Sequence, residues 1–369
     1  MDPPFRADHV GSLLRPQSVL KARADFAAGR IPADELRRVE DEAITDVVRM
    51  QQDVGLQSAT DGEFRRTSWH MDFIYRLGGV HSTDEKLTVE FRNAEGSISF
   101  EAAALAVTEP ISLPETIFGD DFAFLQNAVS ENVTPKLTIP SPSMVHYRGG
   151  RAALDPSVYP DEDQFWHDLS AAYAEQVRRL GQLGCRYLQF DDTSLAYLND
   201  PQQRALLAAR GDDAEHQHLR YIRQINAALA GRPAGMTVTT HMCRGNFRSS
   251  WAAEGGYDFV AEALFSELAV DGFFLEYDDQ RSGSFAPLRF VPPGKRIVLG
   301  LVTTKRPELE DKDALKRRID EASQYVPLDQ LCISPQCGFS STVEGNVLTY
   351  DDEVAKLRLL VEVAAEVWG

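Results

Sequence analysis

The sequence has little of what several classes of protein depend on. Cysteine occurs only four times in 369 residues, at scattered positions, which is too few for a disulfide-stabilised scaffold. No stretch approaches the roughly 18 consecutive apolar residues of a membrane-spanning helix. The first residues lack the charged and apolar regions of a secretory signal peptide. We therefore expect a cytoplasmic protein with free thiols and no membrane partner.

Positive charge is also scarce. The chain has 38 Lys and Arg against 56 Asp and Glu, a formal net charge of -18. Binding to nucleic acid draws on clustered basic side chains that displace counterions from phosphates, and no basic run is present. Nucleic acid is therefore not an expected partner. The composition, 43% hydrophobic and 25% charged, is typical of a folded globular protein and excludes disorder as the dominant state.

A unit of amphipathic helix followed by an apolar strand recurs along the chain. The first helix places Leu36, Val39, Ala43, Val47, Met50 and Val54 on one face, spaced by three or four residues. Apolar runs that predict strands stop at or just before polar residues: CRYLQF before Asp191, GMTVTT before His241, DGFFLE at Glu276, RIVLGLV before Lys305, and LDQLCIS before Cys337. Cys185 and Cys332 lie inside such runs and are expected in the core.

Alternating helices and strands favour a parallel sheet. We expect one (β/α)8 TIM barrel that forms a single domain over residues 1–369, because a closed barrel brings the carboxyl end of every strand to one face, where enzymes of this fold build their sites. An open doubly wound sheet is the alternative. The sequence has no glycine-rich turn after a strand to bind a dinucleotide, which disfavours it.

Residues 80–130 do not follow the barrel unit. The runs KLTVEF and GSISFEA alternate apolar and polar side chains around residues 93–96, a pattern typical of a β-hairpin. We expect this hairpin to be inserted at the mouth of the barrel. It would act either as a lid or as a contact between the subunits of a homo-oligomer.

The strongest local chemical signal is the His-x-Cys sequence of His241 and Cys243. Residues i and i+2 of a strand face the same side, so this imidazole and thiolate can bind one ion, and zinc suits mixed nitrogen and sulfur ligands. His-x-Cys is weak alone, but Glu276 and Cys337 end later strands of the same barrel. The alternatives are an unliganded strand-end pair, a Glu276–Arg281 ion pair, and an inert buried thiol at Cys337.

Six ordered blocks resemble the cobalamin-independent methionine synthases, specifically their catalytic C-terminal barrel and short stand-alone homologues. The blocks are HVGSLLRP, TDGEFRR, LQFDDTSLAYL, TTHMCRGNF, FFLEYDD and SPQCGFSST. The resemblance implies a Zn²⁺ ion held by His241, Cys243, Glu276 and Cys337. It also implies transfer of a methyl group from 5-methyltetrahydrofolate, or a related small donor, to the zinc-bound thiolate of homocysteine, giving methionine.

The resemblance implies a site for an amino-acid thiol as well. The backbone around Val10 and the Ser12 hydroxyl would hold the carboxylate, and Glu63 and Asp191 would hold the ammonium. Asp191 is therefore grouped with the catalytic residues. The alternatives are an N-cap contact or a pairing with a neighbouring arginine for Glu63, and a strand-end cap for Asp191.

The region that would meet the methyl donor departs from the family pattern. Lys305 stands where the long enzymes carry a histidine proton donor, and a lysine of ordinary pKa near 10.4 is a poor acid. His146 and Tyr147 replace a pterin-facing tryptophan and would stack on a donor ring, with ordinary loop residues as the alternative. Arg15 is a candidate for an anionic substrate tail, against a surface salt bridge. His9 would bind substrate or cap a turn.

Three other functions stay open at this point. An epoxyalkane:coenzyme M transferase, or another alkyl transfer to a small thiol, would use the same zinc site. A decarboxylase of tetrapyrrole synthesis would share the barrel without a metal. A non-catalytic zinc-bearing protein that binds metabolites of the methionine pathway would show no turnover.

Overall fold

A curled, fully parallel sheet of seven strands forms the centre of the molecule in the computed structural model, which describes residues 2–93 and 96–369. Its strand order is β1-β4-β5-β6-β7-β8-β9, and β2 and β3 form a separate antiparallel ribbon. The strands are β1 (Ser58–Ala59), β2 (Gly78–Asn93), β3 (Gly96–Ser112), β4 (Thr134–Pro140), β5 (Tyr187–Asp192), β6 (Thr237–Met242), β7 (Gly272–Glu276), β8 (Arg296–Val302) and β9 (Leu331–Pro335).

Twelve α-helices occur in the described residues, most of them between strands of the parallel sheet. They are α1 (Gln17–Ala27), α2 (Ala33–Asp53), α3 (Met71–Ile74), α4 (Gly119–Ala128), α5 (Ser143–Tyr147), α6 (Glu162–Gln182), α7 (Ser194–Tyr197), α8 (Pro201–Ala209), α9 (Gln217–Ala228), α10 (Ala261–Glu267), α11 (Lys312–Ser323) and α12 (Tyr350–Trp368). None of them is both long enough and apolar enough to cross a membrane.

The helix and strand patterns of the sequence are confirmed for most units. The predicted helical face from Leu36 to Val54 is α2, which ends before Gly55, a residue with φ of +96° that suits a glycine after a helix. The run CRYLQF ends in β5, all of whose residues are buried, as expected for a parallel strand covered on both faces. Cys185 and Cys332 are fully buried, as predicted.

The N-terminal segment lies beside the last strand of the sheet. Asp8 N donates to Ile333 O (3.0 Å) and Ile333 N to Arg6 O (2.8 Å), which makes a parallel bridge to β9. Farther along this segment, Leu13 N donates to Gly62 O (3.1 Å), just after β1. Residues 6–13 therefore lie between β9 and β1, at the two edges of the seven-stranded sheet.

The β2–β3 ribbon is separate from the parallel sheet. It occupies part of the chain for which the sequence predicted a hairpin. Its register pairs Val80 with Val107 and Phe91 with Ile98. The predicted boundaries, 80–130, were too wide: the ribbon spans 78–112, and α4 and the start of the connection to β4 occupy the rest. Residues 94 and 95 of the predicted turn lie outside the described residues.

Candidate metal centre and substrate cavity

Four side chains from three strand ends meet at one face of the sheet. His241 is in β6, and Cys243 is the first residue after that strand. Glu276 ends β7, and Cys337 follows β9. One ligand atom from each lies within 4.8 Å of the others, and all four side chains are buried. The side chains that the sequence singled out as metal ligands therefore come together in space.

The backbone after β6 explains why His241 and Cys243 face the same side. Cys243 N donates to Asp192 O (2.8 Å), so the extended pairing with β5 continues one residue past the strand. The chain then turns at Gly245, whose φ is +87° and whose missing side chain leaves room for the Tyr197 hydroxyl 2.6 Å from an ideal Cβ position. Gly245 N donates to Cys243 Sγ (3.3 Å).

The two thiols are close enough to share a proton. Cys243 Sγ and Cys337 Sγ lie 3.5 Å apart. Their hydrogen bond lowers the pKa of Cys337 well below its ordinary value and raises that of Cys243 well above it. Cys337 Sγ also lies 3.6 Å from the hydroxyl oxygen of Ser341.

Arg244, which the sequence interpretation passed over, holds Glu276 in place. Its backbone N donates to Glu276 Oε1 (2.9 Å), and its Nη1 donates to the Glu276 carbonyl (2.9 Å) and to Tyr257 Oη (3.1 Å). The side chain is almost fully buried. In the sequence, its position directly after the His-x-Cys motif is the feature that could have identified it. Arg281, the alternative partner considered for Glu276, instead binds Asp279.

A cavity of about 420 Å³ opens beside this cluster of four side chains. His241, Cys243 and Cys337 line it on one side, with Val10, Ser12, Glu63 and Asp191. Aromatic side chains form much of the remaining lining, which also includes charged side chains: the aromatic ones are Trp69, His70, Tyr75, Phe91, Phe100 and Phe247, and the charged ones are Asp72, Lys86, Glu101, Arg148 and Glu344. The cavity lining therefore combines groups able to bind a metal and buried carboxyl groups with an aromatic wall that also carries charged side chains.

Glu63 and Asp191 are two buried carboxyl groups in this wall. Glu63 Oε1 accepts from Thr138 Oγ1 (2.8 Å) and lies 3.4 Å from Arg66 Nη1, whereas Oε2 has no hydrogen-bond partner among the described residues. Burial raises the pKa of both groups, and the charge of Glu63 helps raise that of Asp191 to about 7. Such a pair gains most from a cation placed between its members.

The β2–β3 ribbon supplies part of the aromatic wall of the cavity. Phe100 and Phe91 of the ribbon pack on Phe247, with ring centroids 4.8 and 5.4 Å apart. Backbone hydrogen bonds between Arg92 and Trp251 (2.7 and 2.9 Å) join the ribbon to the loop that follows β6. The ribbon is thus attached to the loop that carries Cys243.

Residues 5–366 match the model of a family described as the catalytic domain of cobalamin-independent synthases. The chain belongs to this family. It is 47% identical over 366 residues to the protein YxjH of Bacillus subtilis (strain 168), covering 99% of this chain and 95% of that protein. It is also similar to the methionine synthase of Pyrococcus horikoshii, with 23% identity over 331 residues, 89% of this chain and 84% of that one.

A solved structure supports the same membership. The proposed vitamin-B12-independent methionine synthase from Listeria monocytogenes has a TM-score of 0.80 and 41% identity, with 100% of this chain and 99% of that chain covered. The resemblance that the six sequence blocks carried is therefore confirmed at the level of the cobalamin-independent synthase family.

Lys305 was predicted to act near the methyl donor and Arg15 to bind an anionic substrate tail, and both side chains make other contacts in this structure. Among the described residues, those lining the cavity do not include Lys305 or Arg15. Lys305 Nζ binds Asp278 Oδ2 (3.2 Å). Arg15 is buried and donates to carbonyls of the loops after β1 and β9, among them Glu63 O (2.9 Å) and Ser340 O (3.0 Å).

His146, Tyr147 and His9 also lie apart from the cavity lining. His146 Nε2 lies 2.8 Å from Glu162 Oε1, and the ring packs on Trp166. Tyr147 is buried, and its hydroxyl donates to a side chain of α8. His9 is buried, and burial lowers its pKa to about 4. A substrate role for these three side chains has no support from this geometry.

Proposed function

We propose that this chain is a zinc-dependent methyltransferase that transfers a methyl group to the thiol of homocysteine, giving methionine. The observation that carries the proposal is the cluster of His241, Cys243, Glu276 and Cys337 at the end of a cavity that also holds two buried carboxyl groups. The proposed donor is 5-methyltetrahydrofolate or a related small molecule. The Pyrococcus relative, which covers most of this chain, is named methionine synthase.

The four side chains fit a zinc ion. In the part of the chain that the structure describes, neither ring nitrogen of His241 has a hydrogen-bond partner, although the residue is only 2% exposed. The sulfurs of Cys243 and Cys337 lie 3.5 Å apart, near the ~3.8 Å that two Zn–S bonds of about 2.3 Å give in a tetrahedron. A bound zinc would supply deprotonation of the substrate thiol at neutral pH.

The remaining polar groups of the wall fit the other end of homocysteine. Glu63 and Asp191 would bind the α-ammonium, because a cation relieves the repulsion between the two buried carboxylates. The backbone N–H groups near Val10 and the hydroxyl of Ser12 would bind the α-carboxylate. This charge pattern favours an amino-acid thiol over coenzyme M, whose sulfonate offers no ammonium to the two carboxylates.

Lys305 has two possible functions in this reaction. Its ammonium would donate a proton to the amine left after methyl transfer only after separating from Asp278, to which it is bound. Where it lies, its charge opposes the rise that burial causes in the pKa of Glu276, and so favours the carboxylate form of that ligand. The apolar wall formed with the ribbon would exclude water from the methyl donor.

We further infer that residues 1–369 act as one catalytic domain built on a closed eight-stranded barrel. The N-terminal segment would be the eighth strand, since it is bonded to β9 through Ala7 and reaches the residues after β1. The β2–β3 ribbon would be an insertion at the mouth of this barrel. A homo-oligomer that uses the ribbon as a contact is part of the same proposal.

Zinc-edge X-ray absorption with and without homocysteine tests the proposal. We expect about one zinc per chain, and one more sulfur neighbour when homocysteine is added. Cys243→Ser and Cys337→Ser should each lose zinc and turnover, whereas Cys185→Ala, which changes a buried thiol away from the cluster, should keep both. Full zinc in both serine variants would place the ligands elsewhere, and loaded enzyme without turnover on any methyl donor would support a binding protein instead.

A further inference from the structure

Every carbonyl oxygen in the loop of residues 9–12 accepts a hydrogen bond from the rest of the protein. This loop follows the N-terminal strand segment, and Val10 and Ser12 line the cavity. Four donors from separate parts of the chain hold its carbonyls: Lys136 Nζ to His9 O, Gln189 Nε2 to Val10 O (2.6 Å), Thr60 Oγ1 to Gly11 O (2.6 Å) and Phe339 N to Ser12 O (2.9 Å).

Three of the four amide groups of the same loop have no acceptor among the described residues, whereas His9 N donates to Asp8 Oδ1 (2.8 Å). Within residues 2–93 and 96–369, no acceptor bonds the backbone N–H of Val10, Gly11 or Ser12. The N–H and C=O of a planar trans peptide point in opposite directions. Because each carbonyl of residues 9–11 is bonded to a protein donor, the N–H of the same peptide points away from that donor, and Val10 and Ser12 line the cavity. Successive backbone N–H groups without protein acceptors are a known type of anion-binding site.

The loop conformation depends on residues that would be unfavourable without a specific reason for them. Lys136 is fully buried, and burying an ammonium is unfavourable unless it is paired. Asp8 Oδ1 lies 3.3 Å from Lys136 Nζ, and the ring of Phe274 lies 4.1 Å from it. Gly11 has φ of +147°, and an ideal Cβ there would be 2.7 Å from Thr138 Cγ2, so the loop conformation requires glycine.

We propose that Lys136 and Thr60 are positioning residues of a carboxylate site formed by the backbone N–H groups of residues 10–12. They touch no substrate. They fix the carbonyls of His9 and Gly11, so that the N–H groups of Val10 and Ser12 point at a carboxylate before it arrives. This inference rests on the proposed function, because the carboxylate is that of the amino-acid thiol.

The test compares two thiols that differ only in the carboxylate. The dissociation constants of homocysteine and 3-aminopropane-1-thiol are measured by calorimetry on the zinc-loaded wild type, Thr60→Val, Thr60→Ser and Lys136→Met. We expect the wild type to prefer homocysteine. Thr60→Val, which loses the hydroxyl hydrogen bonds to Gly11 O and from Gly62 N, should lose about fivefold to tenfold of that preference. Thr60→Ser should retain it, and Lys136→Met should lose at least as much as Thr60→Val.

Lys356→Met is the matched control, because Lys356 is another fully buried lysine that donates to a carbonyl, Glu308 O (2.7 Å), and has no hydrogen bond to residues 9–12 in the described part of the chain. Its preference should equal that of the wild type. An unchanged preference in Thr60→Val, or an equal loss in Lys356→Met, would overturn the positioning role and leave the proposed function intact. A wild type without any preference for homocysteine would overturn both. Thermal melting of each variant separates these results from unfolding.

Discussion

Asp191 and Glu63 lie buried in one wall of the cavity, and their interaction makes thiol binding depend on pH. Burial and the neighbouring carboxylate raise the pKa of Asp191 to about 7, so the group is largely neutral below that pH. An ammonium binds the ionised form better. We therefore expect the Kd of homocysteine, measured by calorimetry on the zinc-loaded protein, to rise as pH falls from 8 to 6.

Replacing Asp191 separates this effect from titration of the thiol itself. Asp191→Asn should weaken homocysteine binding by about tenfold to a hundredfold at pH 8 and flatten the pH profile below 7. Asp213→Asn, at an exposed position before α9, is the control and should leave the profile unchanged. A steep profile that persists in Asp191→Asn would assign the pH dependence to another group.

Replacing Lys305, which pairs with Asp278, distinguishes its two proposed functions, proton donation and stabilisation of the Glu276 carboxylate. Lys305→Met leaves Asp278 buried without its ammonium partner and removes a charge that lowers the pKa of Glu276. We expect zinc affinity, measured by competition with a chelator, to fall about tenfold. Lys312→Met, on the exposed face of α11, should not change it. Unaltered zinc affinity with a large drop in turnover would instead identify Lys305 as the proton donor.

Sequence patterns predicted which four side chains would come together because each pattern is local. His241 and Cys243 are two residues apart on an extended chain, so their common direction follows from strand geometry. Arg15 could not be interpreted in the same way, since its acceptors come from loops around Glu63 and Ser340 that only the fold brings together. The same holds for His146, which α6 covers through Glu162.

The β2–β3 ribbon is the element whose removal should affect the donor more than the thiol. Phe100 packs on Phe247, and both rings line the cavity. Phe100→Ala removes part of this wall, so we expect the KM for the methyl donor to rise about tenfold in steady-state assays, with little change in the Kd of homocysteine. Glu90→Ala, at an exposed position of the ribbon, is the control. Equal weakening of both ligands would show that the ribbon acts on the whole site.

At the level of elements, the helix and strand periodicities predicted α2, α6 and β5, because each buries one clear face or a continuous apolar run. The connection from β7 to β8 was less regular: it contains 3₁₀ turns at Gln280–Ser282 and Ala286–Phe290 instead of an α-helix. The ribbon boundaries were also too wide, since residues 113–130 carry no strand alternation strong enough to mark where β3 ends. Such boundaries depend on tertiary packing rather than on local pattern.

The whole molecule is closed by contacts between its two ends. Leu14 N, in the N-terminal part, donates to Glu353 Oε1 (3.0 Å) in the last helix, α12. Glu353 is fully buried, and its Oε2 has no partner among the described residues. Burial raises the pKa of this carboxyl to about 8, so at neutral pH the folded protein keeps a proton there that the unfolded chain releases.

Because of this difference in proton binding, Glu353 lowers the free energy of unfolding by an amount that depends on pH. With a folded pKa of about 8, above the unfolded value of 4.5, the folded state binds more protons, so stability falls as pH rises from about 4.5 to 8. Glu353→Gln keeps the acceptor for Leu14 N and cannot ionise. We expect equal stability of variant and wild type near pH 4, and a variant more stable by about 1–3 kcal/mol at pH 8 in denaturant titrations. Glu131→Gln, at an exposed loop, should show no such divergence, and parallel curves for Glu353→Gln would mean that the carboxyl is ionised in the folded protein.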